Sequence, residues 1–391
     1  SYIDSLYEAV ASWTTTGTSV VNSDVMPIGL KMLRASCNWM GALGIIVIAL
    51  NFLPTWQFVG RSLVITEIAG PGFMKINTTF RKTYRRALAI YISLTAIQYA
   101  LLRISGLNKS DSLITSLSNI STAGLMNLNN GNIVGYGLSV KIIITTFAFL
   151  SSLNFSILLL ATMKKFRELT EGPELKFHAG RILTTTIFIT GILYITYNRT
   201  LSSLKEFGNV LMQVISYFTT AGYQISDTNG WPGAACAIIL IQMFIGACAI
   251  SSGGGIKAAR TIIALKTSSR TLYHHIHKNA IRPIKYAGTP LKLNTLLRCN
   301  LYIVMFVVTF LFGALILSIN LDLNTALNTS LAMLTNTGTY INQTATPGII
   351  DDYSIVSKIT MMFLMLAGRL EIYPVILIFF KSFWKNDNDF L

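Results

Sequence analysis

The sequence predicts an all-α polytopic membrane protein with four pseudo-symmetric repeats around one central pore. Three observations predict it: an apolar composition, a charge alternation between long apolar stretches, and one short motif that recurs four times. Of 391 residues, 52% are hydrophobic and only 12% are charged, about half the charged share of a soluble domain. Seven apolar stretches run at 37–54, 87–102, 138–163, 182–197, 233–251, 301–319 and 355–380. Each approaches the roughly 20 residues that carry a helix across about 30 Å of hydrocarbon. Backbone polar groups in lipid must be satisfied within the segment, so continuous runs of this length are helices rather than barrel strands.

The connecting segments set the orientation. Segments 1–36, 103–137, 198–232 and 320–354 together hold six Lys/Arg against nine acids, whereas 55–86, 164–181, 252–300 and the tail from Lys381 hold twenty-two against six. The positive-inside rule makes the second set cytoplasmic. The formal net charge of +15 is then a topology signal and not a nucleic-acid surface. Cys37, Cys236, Cys248 and Cys299 are scattered, with no CxxC pair, and predict neither a disulfide framework nor a zinc site. All four histidines fall in cytoplasmic segments; His274-His275-Ile276-His277, without nearby Cys or carboxylates, reads as a solvated run.

The outer segments are 36, 35, 35 and 35 residues long, and each carries a short amphipathic stretch followed by a small-residue motif. The motifs are Thr14-Thr15-Thr16-Gly17, Ser121-Thr122-Ala123-Gly124, Thr219-Thr220-Ala221-Gly222 and Thr335-Asn336-Thr337-Gly338. The preceding stretches, Asp4 to Ala11, Asp111 to Leu117, Ser203 to Ile215 and Asp322 to Leu334, begin with N-cap residue types. They predict helices too short to span. The repeat unit is an inward-to-outward helix, a half-helix dipping in from outside, a glycine-containing return, and an outward-to-inward helix. The predicted division is 1–86, 87–181, 182–300 (with the long cytoplasmic segment) and 301–391. The first unit lacks its opening helix, so the recorded N-terminus is expected to be incomplete; no signal peptide is visible at Ser1-Tyr2-Ile3-Asp4.

Irregular backbone at membrane depth is tolerated where it lines a watery path or is buried in protein. Four such returns around one axis would line a single path, with carbonyl oxygens replacing an ion's hydration shell and half-helix C-termini pointing their negative ends at it. The four motifs contain no Asp, Glu, Lys or Arg, which suits a monovalent cation held by dipoles. One Thr-Thr-Gly alone would read equally as a turn or a packing contact; four at one place in segments of one length do not.

With these residues in view the chain resembles the Trk/Ktr/HKT potassium transporter superfamily, specifically the TrkH-like membrane subunit of bacterial Trk potassium uptake systems. The resemblance spans essentially the whole chain. It is most specific at Ile245-Gly246-Ala247-Cys248-Ala249-Ile250-Ser251-Ser252-Gly253-Gly254-Gly255-Ile256-Lys257, with support from Trp39-Met40-Gly41-Ala42-Leu43-Gly44 and Ala367-Gly368-Arg369-Leu370-Glu371. Ala247 and Ile250 stand where the family usually has glycine. The resemblance implies potassium uptake across the bacterial cytoplasmic (inner) membrane, with K+ at the four motifs as a selectivity filter. It implies a gate formed by the loop Ala249, Ile250, Ser251, Ser252, Gly253, Gly254 and Gly255 with Arg369. It also implies a homodimer and a cytosolic ring of TrkA-like regulatory subunits that bind NAD(H) or another nucleotide, with no organic cofactor on this chain. Lys257 to Arg298 is the expected docking surface.

The residues by themselves leave alternatives. The glycine-rich stretch is a poor helix interior, each glycine costing about 1 kcal/mol relative to alanine, but it could be a kinked helix. Arg369 inside a span is a functional candidate, yet it could pair with Glu371 or snorkel, as Lys141 and Lys358 near outer span ends are expected to. A sodium-permeable or mixed monovalent cation transporter of the same family is the runner-up. A secondary transporter of another fold would need a substrate cage and inverted halves. A membrane-embedded enzyme would need convergent acid–base dyads, and the outer segments contain no histidine, so no catalytic activity is expected.

Overall fold

The computed structural model describes residues 1–21, 25–55, 80–124, 132–162, 172–197, 204–228, 230–278, 283–340, 350 and 353–377. These are helical apart from connections and one hairpin. Four short helices, α1 (Tyr2–Trp13), α4 (Lys109–Ile120), α8 (Leu204–Phe218) and α12 (Leu323–Leu334), alternate with longer ones. The longer set is α2 (Ile28–Thr55), α3 (Phe80–Ile104), α5 (Leu138–Ser152), α7 (Pro173–Thr196), α9 (Gly233–Ile245), α11 (Leu293–Leu317) and α13 (Ile355–Arg369). Two small helices, α6 (Phe155–Thr162) and α14 (Ile372–Leu377), and the basic helix α10 (Ala258–Ile276) complete the helical set among the described residues.

Twelve to fifteen residues make the short helices about 18 to 23 Å long, less than a bilayer core. Local chemistry starts them. Ser1 and Asp4 form a capping box on α1, and the Asp322 carboxylate accepts the Thr325 N–H at 3.0 Å. Hydrogen bonding to Thr325 holds that carboxyl below its ordinary range. Helix α4 starts at Lys109 rather than Asp111, which instead places its charge in the first turn, where the helix dipole favours it. Three of the short helices also run past the sequence estimate, to Trp13, Ile120 and Phe218, up to the motif itself. The expected cap Ser203, the final residues of the spans ending at 163 and 380, Arg282, and most of the basic segment 55–86 lie outside the described residues.

Within α3 (from Arg85), α7 and α11, segments of 20 to 25 residues with mean hydropathy of 1.6, 1.4 and 2.4 are long and apolar enough to cross a membrane. Helix α11 shows what its solvent is: Leu297, Leu301, Val304, Val308, Leu311 and Leu315 are each more than half exposed, whereas Tyr302, Phe306 and Leu317 on the other face are buried. An apolar outer stripe backed by a packed inner one suits lipid outside and protein inside. The inner faces meet around Tyr7, Phe218, Phe306, Leu334, Met361 and Met365.

Three spans read as continuous are broken. The stretch 138–163 divides at Leu153–Asn154, 233–251 ends at Gly246 with φ +66°, and 355–380 breaks at Glu371 with φ +65°. Hydropathy cannot register these breaks, because each lies in apolar surroundings and is held by distant side chains. The hairpin, β1 (Lys285–Tyr286) and β2 (Thr289–Pro290), turns on Ala287 and Gly288 with φ of +45° and +82°. Positive φ at both central residues matches the right-handed twist of short hairpins.

Candidate functional site

The four short helices end in the same way. The residue two before each motif glycine, Thr15, Thr122, Thr220 and Asn336, has φ of 56°, 53°, 58° and 56°. Its N–H reaches the carbonyl three residues back, of Ser12, Asn119, Tyr217 and Met333. The next N–H, of Thr16, Ala123, Ala221 and Thr337, reaches five back, to Ala11, Ser118, Ser216 and Ala332, at 2.9 to 3.0 Å. This paired pattern is the Schellman motif, which normally places glycine or asparagine at the left-handed position. Threonine there is a steric outlier costing on the order of 1–3 kcal/mol. Three such residues at equivalent points are held by their surroundings, since nothing local favours them.

The four turns close into a ring. A Cβ on Gly17 would lie 2.6 Å from Ala123 O and 3.2 Å from Thr337 O; one on Gly124 would lie 2.9 Å from Ala221 O; one on Gly222 would lie 2.7 Å from Thr337 O; and one on Gly338 would run into the backbone of Gly17. Each turn therefore touches the next, and the fourth touches the first. Glycine is required by this close approach, and at Gly124, Gly222 and Gly338 also by positive φ. All sixteen motif residues are buried, Thr219 and Thr337 at 0% exposure. Hydroxyls of Thr14, Ser121, Thr219 and Thr335 bond back to their own half-helices, to Val10 O, Leu117 O, Ser216 O and Leu331 O. What the ring offers a bound group is thus backbone carbonyl and the aligned dipoles of four helix C-termini.

Beneath the third and fourth turns lies a stretch without helix, from Gly246 to Lys257, between α9 and α10. It begins three residues before the expected Ala249. Gly254 N–H donates to Thr220 Oγ1 at 2.9 Å, and a side chain on Gly254 would collide with the Thr335 carbonyl. Its carbonyls are capped by cations: Arg369 Nη1 donates to Ser252 O at 2.6 Å, Arg181 Nη2 to Gly246 O at 2.6 Å, and Lys257 Nζ to Gly253 O. Ser252 Oγ donates to Ser151 O at 3.0 Å and Phe155 N–H to Ile250 O at 3.1 Å. Buried irregular backbone needs such donors.

Two carboxylates balance these charges. Glu174 accepts from Asn154 Nδ2 at 3.2 Å, Tyr286 OH at 2.8 Å and the Ala249 N–H. Glu371 pairs with Arg260, whose guanidinium also lies 3.8 Å over the Tyr302 ring. Sequence reading left an Arg369–Glu371 pair open; the break at Leu370–Glu371 turns the acid away to Arg260 instead. His178, which the sequence places in the segment between two spans, is fully buried in α7 between Ser152 Oγ and Arg181, because α7 starts at Pro173 rather than near 182. Lys358 is buried and bonds Asp4 Oδ1 at 2.7 Å, so it does not snorkel. Glu174, Arg181, Arg260 and Tyr286 carried no local signal, since their partners lie on other elements. Among the described residues no group of three or more His, Cys, Asp or Glu could hold a metal ion.

Comparison with known proteins agrees with this architecture. The chain is 28% identical to the Trk system potassium uptake protein TrkH of Halomonas elongata, over 98% of this chain and 80% of that protein. It is 27% identical to TrkH of Escherichia coli K12 and 26% identical to the TrkG protein of the same organism, covering 80% of each. The crystal structure of the potassium transporter TrkH from Vibrio parahaemolyticus superposes with a TM-score of 0.84 at 24% identity, over 98% of this chain and 80% of that one, and shares its fold. The TrkH family, described as cation transport protein, matches residues 1–387, and the chain belongs to that membrane-embedded transporter family.

Proposed function

We propose that this chain takes up potassium across the bacterial cytoplasmic membrane, as the membrane subunit of a Trk system. K+ passes through a filter at the Gly17, Gly124, Gly222 and Gly338 ring, dehydrated by carbonyls of the four motifs. The observation that carries this reading is the ring closure of four identically built helix ends. Such a ring presents oxygen without fixed charge, which fits a weakly hydrated monovalent cation. The loop Ala249 to Gly255 with Arg369 forms the gate below it, because a cation leaving the ring meets both the loop backbone and a positive charge. Four units, 1–86, 87–181, 182–300 and 301–391, each supply one quarter of the path. The chain works as a homodimer with one path per subunit, and TrkA-like cytosolic subunits binding NAD(H) or another nucleotide bias the gate through the basic segment Lys257 to Arg298. Relatives named as parts of a Trk system support such partners.

The test is cation flux in proteoliposomes. Serine at each of the four ring glycines should lower the K+ to Na+ flux ratio, and an unchanged ratio in all four variants would remove the filter assignment. The same measurement on the unmodified protein separates potassium-selective from sodium-permeable transport.

A further inference from the structure

Among the described residues, two of the four turns are braced by residues at one matching position, nine before the glycine: Glu8 for Gly17 and Gln213 for Gly222. In the third turn a single neutral side chain does two jobs. Gln213 Oε1 accepts the N–H groups of Ile225 and Ser226 at 2.8 and 3.0 Å, and its Nε2 donates to Tyr223 O at 2.9 Å. Those partners are the third, fourth and first residues after Gly222. In the first turn Glu8 Oε1 accepts the N–H groups of Val20 and Val21 at 2.7 and 3.3 Å, again the third and fourth residues after the glycine. A carboxylate cannot donate to the carbonyl of the first, Thr18. Arg34, reaching in from α2, donates to Thr18 O with Nη2 and pairs with Glu8 through Nη1. Arg34 is only 6% exposed.

From this matched geometry we infer that Glu8 and Arg34 together replace one glutamine. They are positioning residues that set the outer edge of the first turn, and hence cation selectivity. The inference rests on the proposal that the ring is the filter. In both turns the carbonyl immediately beyond the glycine is occupied by a protein donor, which directs it into the protein; in the third turn Gly222 O also accepts from Thr339 Oγ1 at 2.6 Å. The third turn adds a second donor, Ser216 Oγ, to Tyr223 O at 2.8 Å; the matching residue of the first turn is Ala11, so there Arg34 carries the carbonyl without that help. Without Arg34, Thr18 O is released and Glu8, a partly buried carboxylate, loses its counter-charge.

The experiment uses the dimer in proteoliposomes, reading K+ and Na+ flux from one preparation and the thermal midpoint from the same sample. Arg34→Met should lower the K+ to Na+ ratio by about tenfold, the scale of one lost hydrogen bond to a charged group. The double variant Glu8→Gln with Arg34→Met should recover the ratio to within about threefold of the unmodified protein, since glutamine then serves both partners as Gln213 does. The mirror change Gln213→Glu should lower the ratio with Arg34 intact. If Arg34→Met does not assemble, the double variant and Gln213→Glu still decide the matter. A double variant as unselective as the unpaired protein, or Gln213→Glu with unaltered selectivity, overturns the inference. Gly17→Ser is measured alongside: a shifted ratio there with unshifted brace variants defeats only the brace, whereas no shift in Gly17→Ser or the brace variants defeats the filter itself.

Discussion

Arg369 and Ser252 lie 117 positions apart in the chain, and their contact is a 2.6 Å hydrogen bond from the guanidinium to a backbone carbonyl of the stretch between α9 and α10. Arg369 is buried at the end of α13, so the charge is held against irregular backbone in the interior. Arg369→Ala should release the loop and remove a positive barrier at once. Basal K+ flux should rise by about tenfold, the scale of a lost charged hydrogen bond. Deleting Gly253 to Gly255 should act on the same gate, so the combined variant should conduct little more than either alone. Flux that falls in Arg369→Ala, or that sums fully with the deletion, would make Arg369 a support of the fold.

Gly17 is the one ring glycine without positive φ, so substitution there tests close approach with little backbone strain. A serine Cβ would press on Ala123 O at 2.6 Å and displace the second turn's carbonyl. The K+ to Na+ flux ratio should drop severalfold while Rb+ continues to follow K+, being similar in size. Rb+ and K+ diverging as strongly as K+ and Na+ would point to a general block rather than an altered filter.

Tyr286 OH, in the hairpin, donates to Glu174 Oε1 at 2.8 Å, and Glu174 also accepts from the loop residue Ala249. Tyr286→Phe removes one donor and should change the balance of closed and open gate by roughly 1 kcal/mol, about fivefold in basal flux. The K+ to Na+ ratio should hold, because this bond joins the hairpin to the loop through Glu174 and not to the ring. Flux assays showing an altered ratio with unaltered rate would contradict the linkage.

Charge reversal at Arg270, Lys278 and Arg282 should weaken docking of the cytosolic ring, with the loss largest at low ionic strength, where screening is least. Binding measured across a salt series that is flat for both the unmodified and the reversed protein would move the docking surface elsewhere.

The sequence by itself determined what local chemistry controls. Continuous apolar runs demanded helices, and the fourfold motif marked where four short helices stop, because it recurs at one place in segments of one length after a stretch that opens on a capping residue. The charge alternation along the chain likewise needed no contacts to read. Tertiary structure decided what depends on partners far apart in sequence. The break at Glu371 is set by Arg260 on another helix, and burial of His178 by Ser152 on another. The opposite assignment of two neighbouring charges, Arg369 to Ser252 and Glu371 to Arg260, follows from one left-handed residue that local sequence does not favour. Hydropathy weighs a buried ion by its cost in lipid, whereas in the folded chain each of these ions has a specific carbonyl or counter-charge waiting for it, and only the packed helices bring that partner within reach.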